Sequence, residues 1–263
     1  ADKVKASLIT STEEGLATSS SAAFAESLGK PFETKISDLE TSNGVLVLGV
    51  DLVKDHQVAG FFIKRNLQSG TNLVVIDSKE NGLDKQANKT IKPAAGTFED
   101  VLKAISAAVV KLGLAKGKTN LKASDLDSLA ATTKVKSEDY LDAAFILASA
   151  VDPVIVYGQR ANLGLLREFA GLIGAKLISL KGDANSLVAS QLGLDTPYKP
   201  ADYKAAFVAL GDGDLSQKMI QEIEKIPFKV VQASYASSLT ANADVVFPST
   251  TWLEQSGHYL TAD

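Results

Sequence analysis

Short, uninterrupted apolar runs that end in glycine or a polar loop set the pattern of this chain. Val45–Leu48 is such a run, rich in β-branched residues, and reads as a strand buried on both faces. Gly49 closes it, and Asp51, Lys54, Asp55 and His56 follow. Apolar positions Val58, Phe61, Phe62 and Leu67 then share one helical face, with Lys64 and Arg65 near the end where the helix dipole favours cations. Ser69-Gly70 stops that helix. A second apolar run, Leu73–Ile76, ends in Asp77. The spacing predicts a right-handed βαβ unit. Its strand ends, Gly49–Asp51 and Asp77–Lys79, fall on the edge where open α/β sheets bind ligands.

The flanking sequence extends the theme. A strand is expected over Val4–Ile9 and a helix from Thr10 to about Leu28, so that residues 1–79 read β-α-β-α-β. Beyond Asp77, Thr90–Pro93 reads as a short edge strand, because proline cannot donate to a central ladder. Helices are expected over Phe98–Leu112, Asp125–Ala131 and Ser137–Ala150. The polar, lysine-rich stretch 113–136 reads as a solvated linker carrying the second of them. Strand Val154–Tyr157, closed by Gly158, helix Leu163–Ile173 and strand Leu177–Leu180 follow. After a polar loop, the pattern gives a short helix at Leu187–Leu192 and strand Phe207–Leu210 with the loop Gly211-Asp212-Gly213-Asp214. Helix Leu215–Lys225 and strands Lys229–Gln232 and Val245–Phe247 complete it. The expected fold class is α/β, two Rossmann-like lobes with mainly parallel sheets flanked by helices, residues 1–80 and 81–263.

Composition narrows the chemistry. The chain has 263 residues, 45% hydrophobic and 22% charged, which supports a packed core. Its net charge of −4 points away from nucleic acid as a partner. No apolar run approaches the roughly 20 residues of a membrane span, and no export signal is visible, so a cytoplasmic location is expected. With no cysteine, disulfides, thiolate zinc sites, cysteine-ligated iron–sulfur clusters and a cysteine nucleophile are excluded within the chain. His56 and His258 are too few for a histidine-rich metal site.

Glycine at a strand end lets backbone approach a phosphate, and a following helix N-terminus attracts anions. The G-x-G-x-x-G fingerprint is absent after both Leu48 and Tyr157, and Gly211-Asp212-Gly213 is a fragment whose acids repel phosphate. Taken alone, each glycine reads first as a turn residue and only second as a ligand contact. Asp77 is open to two readings, a ribose acceptor at the end of the second strand or a cap at an exposed strand end. Ser19–Ser21 lacks the strand-to-helix setting of a nucleophile elbow.

Several blocks together resemble the molybdopterin oxidoreductases. VLVLGVDLVKDHQVAGFFIKRNLQSGTNLVVID is similar to that family's strand, G-x-N-P, histidine, basic helix and strand ending in D-P-R. ANSLVASQLGLD, FVALGDGD and ANADVVFPSTTWLEQSGHYLTAD resemble three further blocks, in the family's order. Formate dehydrogenase catalytic subunits and the large G-type subunit of NADH-quinone oxidoreductase are the relatives the resemblance names. It implies pterin guanine dinucleotide as cofactor, with Gly49, Asp51, His56 and Asp77 facing one dinucleotide. Gly158, Gln159, Gly211, Asp212 and Asp214, with Asn185 and Thr240, would face the other. It also implies partners, namely iron–sulfur and other electron-transfer subunits or the remainder of a longer chain, through which the protein would reach the membrane face. The sequence departs from the family at Leu52, Ser78-Lys79 and Leu215, and carries neither the iron–sulfur domain nor the cysteine or selenocysteine that ligates the metal. Two rivals stand beside this reading: a cofactor-free scaffold lobe of a complex I-type assembly, and a stand-alone nucleotide enzyme of ordinary Rossmann type.

Overall fold

The computed structural model describes residues 5–12, 34–158, 162–180, 189, 192, 194 and 196–257. The helix expected over 10–28 and most of the one over 187–192 lie outside them. So do Gln159, Asn185 and His258. The chain forms two compact units, one within residues 20–182 and the other from residues 1–19 with 183–260. No strand forms at residues 5–9; the Ile9 carbonyl accepts a hydrogen bond from the Thr196 amide.

The first unit is built on five parallel strands: β1 (Gly44–Leu48), β2 (Asn72–Ile76), β3 (Lys89–Ile91), β4 (Pro153–Tyr157) and β5 (Lys176–Ser179). Their order is β3-β2-β1-β4-β5. Helix α1 (Gln57–Leu67) carries the chain from β1 to β2. Helices α2 (Phe98–Lys111), α3 (Leu126–Thr133) and α4 (Ser137–Ala148) lie between β3 and β4, and α5 (Leu163–Ile173) joins β4 to β5. Every residue of β1 and β4 is buried, which is why both read as continuous apolar runs. The period-2 geometry sends alternate side chains to opposite faces. Leu46, Leu48, Ile155 and Tyr157 pack with Ile105, Tyr140 and Phe169 of α2, α4 and α5. Val45, Val47, Val154 and Val156 pack with Leu39, Leu52 and Ile63 on the other side.

The expected lobe boundary near residue 80 is corrected here. It falls between β2 and β3, which pair in one sheet, and β4 pairs with β1 along its whole length. Ser42 fixes that non-local pairing: its hydroxyl donates to the Asp152 carbonyl at 2.9 Å. The Asn66 carboxamide holds the same corner, donating to the carbonyls of Leu39 and Ser42.

The second unit carries three parallel strands in the order β6-β7-β8: β6 (Ala205–Gly211), β7 (Phe228–Ala233) and β8 (Val245–Pro248). Helix α6 (Gln217–Glu224) and the short α7 (Ser238–Ala241) cover one face. There Met219, Ile223 and Leu239 pack on Val231, Val208 and Leu210. Pro248 sits at the end of an edge strand, where its missing N–H leaves no ladder bond unmade.

Candidate functional site

In the five-stranded sheet the chain leaves β1 for β2 on one side, and returns to β4 on the other. The strand order therefore reverses between β1 and β4, and at such a reversal open α/β sheets bind ligands in the crevice beyond the C-terminal strand ends. Gly49 and Gly158 stand at those ends. The Gly49 amide donates to the Ile76 carbonyl at 2.9 Å and the Gly158 amide to the Leu48 carbonyl at 3.1 Å. A Cβ on Gly158 would lie 2.8 Å from the Gly49 oxygen, closer than any side chain tolerates. Gly49 has φ +64° and the Phe98 ring against it. Glycine is required at both positions, for space at one and for backbone conformation at the other.

The acids near this crevice are tied into their own loops. Asp51 Oδ1 accepts from the Val53 amide and Oδ2 from the Gly82 amide, with Lys54 Nζ 3.4 Å away. Asp77 accepts from the Lys79 amide and from the Asn81 carboxamide, both at 3.1 Å. Asn81 is buried and donates also to the Val50 carbonyl at 2.8 Å. Asn81 thus clasps the loop after β2 to the loop after β1. An ionised carboxylate has about four acceptor positions, and Asp77, half-exposed, uses two of them here. Both readings of Asp77 therefore survive: it caps its loop and keeps acceptors for a ligand.

His56 occupies the N-cap position of α1, and its carbonyl accepts from the Gly60 amide. Its Cα belongs to the loop after β1, as expected. At the start of α5, Asn162 caps the helix by accepting from the Leu165 amide, and its carboxamide donates to Glu99 in the first turn of α2 at 2.8 Å. Two helix N-termini are tied together at this edge. Asn81, Phe98, Glu99 and Asn162 were not anticipated from sequence. The Asn81-Gly82 pair in the polar stretch after Asp77 was the available signal, since such pairs mark tight turns.

Gly158 thus sits beside Gly49 in one sheet, not in the sheet that holds Gly211. In the three-stranded unit, Gly211 ends β6 with φ +56°, and its carbonyl accepts from the Ser234 amide. Asp212 accepts from the Trp252 amide at 2.7 Å and so anchors the turn at 251–254. There the Thr251 amide and hydroxyl both donate to Glu254, holding its carboxyl below the usual range. Thr240 forms a reciprocal capping pair with Ser237 at the start of α7. Asp214 is exposed in the loop between β6 and α6. Among the described residues, no helix is long and apolar enough to cross a membrane, and no group of three or more acidic or histidine side chains could hold a metal ion.

These features suit a nucleotide-bearing ligand more than a bare metal or an anion alone. Gly49 is half-exposed at this strand end, while Gly158 is buried and lets β1 and β4 approach closely behind it. Half-exposed Asp77 and exposed Glu99 keep acceptor positions that ribose hydroxyls or base N–H groups can use, whereas both oxygens of Asp51 are engaged by Val53, Gly82 and Lys54; the charge of these acids disfavours free phosphate.

No curated protein sequence matches the chain. Solved structures similar in fold include two molecules of different activity. Acetylene hydratase from Pelobacter acetylenicus has a TM-score of 0.51 at 15% identity; the match covers 91% of this chain and 48% of that one. The formyltransferase/hydrolase complex from Methylorubrum extorquens, solved with methylofuran, has a TM-score of 0.53 at 13% identity, covering 89% of this chain and 70% of that one. The chain spans about half the length of the acetylene hydratase chain. Residues 5–263 match the family model for molybdopterin oxidoreductases, and the chain belongs to that family.

Proposed function

We propose that this chain is the central, dinucleotide-binding part of a molybdopterin oxidoreductase large subunit, of the formate dehydrogenase or NADH-quinone oxidoreductase type. The apposition of Gly49 and Gly158 at the reversal of strand order carries the reading, because that crevice is where open α/β sheets take nucleotides. The ligand is a pterin guanine dinucleotide. Backbone at half-exposed Gly49 lies against it, with Gly158 allowing the close approach of the two strand ends, and the free acceptor positions of Asp77 take its ribose hydroxyls or guanine N–H groups. When bound, the cofactor supplies the redox chemistry. The residues of this chain bind and orient it and set the electrostatics of its nucleotide end. The metal-ligating residue and the iron–sulfur relay come from other polypeptide, in a cytoplasmic electron-transfer complex.

The test is an assay of molybdenum, tungsten and acid-releasable GMP in the complex isolated from its native host. GMP at about two per metal supports a pair of dinucleotide sites. A complex that holds together with neither metal nor GMP overturns the reading. In the same complex, Asp77→Ala lowers retained GMP, while Glu224→Ala, at an exposed position at the C-terminal end of α6 that is assigned to neither dinucleotide, serves as the comparison.

A further inference from the structure

Asn81 is buried, and its side chain is fully engaged. A carboxamide has two N–H donors and an acceptor oxygen. The nitrogen donates to the Val50 carbonyl at 2.8 Å and to Asp77 Oδ2 at 3.1 Å, and the oxygen accepts from the Leu83 amide at 3.1 Å. The residue is itself held in place. Its backbone amide donates to Asp84 Oδ2 at 2.8 Å. Asp84 pairs with Lys92, whose Nζ also donates to the Lys79 carbonyl. An added Cβ on the neighbouring Gly82 would lie 2.7 Å from the Val53 side chain, so the turn is seated tightly on the loop after β1.

Asp77, by contrast, is half-exposed at the end of β2. Each of its oxygens has one printed partner, the Lys79 amide on Oδ1 and Asn81 on Oδ2, so each keeps an acceptor position. The Lys79 amide belongs to the same turn and moves with Asp77. Asn81 instead ties the carboxylate, through the Val50 carbonyl, to the loop after β1, where half-exposed Gly49 lies.

We propose that Asn81 is a positioning residue: it holds the Asp77 carboxylate in one orientation before the ligand arrives, and so sets how firmly Asp77 grips the donors of a nucleotide. The inference rests on the nucleotide reading of this edge. A side chain ordered in advance loses less freedom on binding, and ordering one such side chain changes affinity by about two- to tenfold. The two bonds of Asn81 have separable effects. The bond to Val50 steadies the loops whether or not residue 77 carries a carboxylate. The bond to Asp77 matters to the ligand only while that carboxylate is there.

The experiment follows release of acid-releasable GMP from the complex isolated from its native host, in urea below the unfolding transition. It compares the parent, Asn81→Ala, Asp77→Ala and the double variant, a cycle that isolates what passes through Asp77. Expected is release about two- to tenfold faster for Asn81→Ala, and the same rate for the double variant as for Asp77→Ala alone. Melting of the same four complexes shows the loss of the Val50 bond in both backgrounds. A purely structural Asn81 speeds release by the same factor in both backgrounds, and that result overturns the proposal. So does an unchanged rate in Asn81→Ala. Asn81→Asp, nearly the same in shape, is the second variant should alanine prevent assembly. Its ionised carboxyl has no N–H to give, so it speeds release in the parent and not in the Asp77→Ala background. A parent complex that assembles without GMP overturns the proposal together with the nucleotide reading. Bound GMP with multiplying factors overturns the proposal and leaves that reading standing.

Discussion

Replacing Gly158 by alanine sets a methyl group 2.8 Å from the Gly49 carbonyl oxygen and 3.1 Å from the Val50 Cβ. The nearer neighbour is backbone, and it cannot swing away as a flexible side chain would. Relief requires β1 and β4 to separate at their ends, which strains the hydrogen bond from the Gly158 amide to the Leu48 carbonyl. Overpacking of this kind costs about 1–3 kcal/mol. The lower entropy of the unfolded alanine chain offsets about 0.4–1 kcal/mol of that. The expected net loss is about 1.3 kcal/mol, the mid-range cost less the mid-range offset, which lowers the melting temperature of a unit this size by roughly 3–5 °C. Gly171 provides the internal contrast. It lies in the interior of α5, where an added Cβ meets nothing within 4 Å. Gly171→Ala therefore gains up to about 1 kcal/mol of helix propensity. Thermal and urea unfolding followed by circular dichroism read both variants. If Gly158→Ala melts at or above the parent, the close approach at the switch point is not as described, and the argument for a glycine-lined crevice fails with it.

Three further outcomes follow from single contacts. Asn81→Ala removes the bond to the Val50 carbonyl that joins the two loops and the bond to Asp77 within its own loop, costing about 1–2 kcal/mol; hydrogen exchange should quicken at residues 50–55 and 77–84 and stay unchanged in β4. Tyr140 is buried and donates to the Thr133 hydroxyl at 2.8 Å. Burial raises its pKa to about 12. The unfolded state loses the phenolic proton first, so stability falls as pH rises from 10 towards 12, by up to about 1.4 kcal/mol per unit. Tyr140→Phe flattens that slope in pH-dependent urea titrations. Hydrogen bonds to Asp139 and Asp142 raise the pKa of Lys89, so its contribution is present at neutral pH and lost as pH climbs above the usual lysine range. Lys89→Met should cost less than about 1 kcal/mol, and the difference, read in paired melts, should shrink in about 0.5 M salt because screening weakens partly exposed ion pairs.

The strands were legible wherever both faces are buried. Val45–Leu48, Leu73–Ile76 and Val154–Tyr157 have no polar position to interrupt them, and the structure places a strand at each. Their neighbours were not legible, because the pairing of β4 with β1 joins residues distant in sequence and leaves no local mark. A boundary near residue 80 looked natural, since the pattern loosens there. In fact the loosening is the loop that Asn81 clasps back over β1. Gly49, Asp51 and Asp77 were found as candidates because strand ends are visible in sequence. Asn162 and Glu99 were not, because their meeting depends on how α2 and α5 lie on the sheet.

The pairing of β1 with β4 also has a consequence in time. The Ser42 and Asp152 corner joins positions 110 residues apart in the chain. During synthesis at about 5–20 residues per second, that interval lasts roughly 5–20 s. Throughout it, β1 can pair with β2 but presents its other edge bare, an apolar strand open to any passing partner. Nascent chains stalled before Pro153 should therefore hold a trapping chaperone, and chains stalled well beyond Tyr157 should release it.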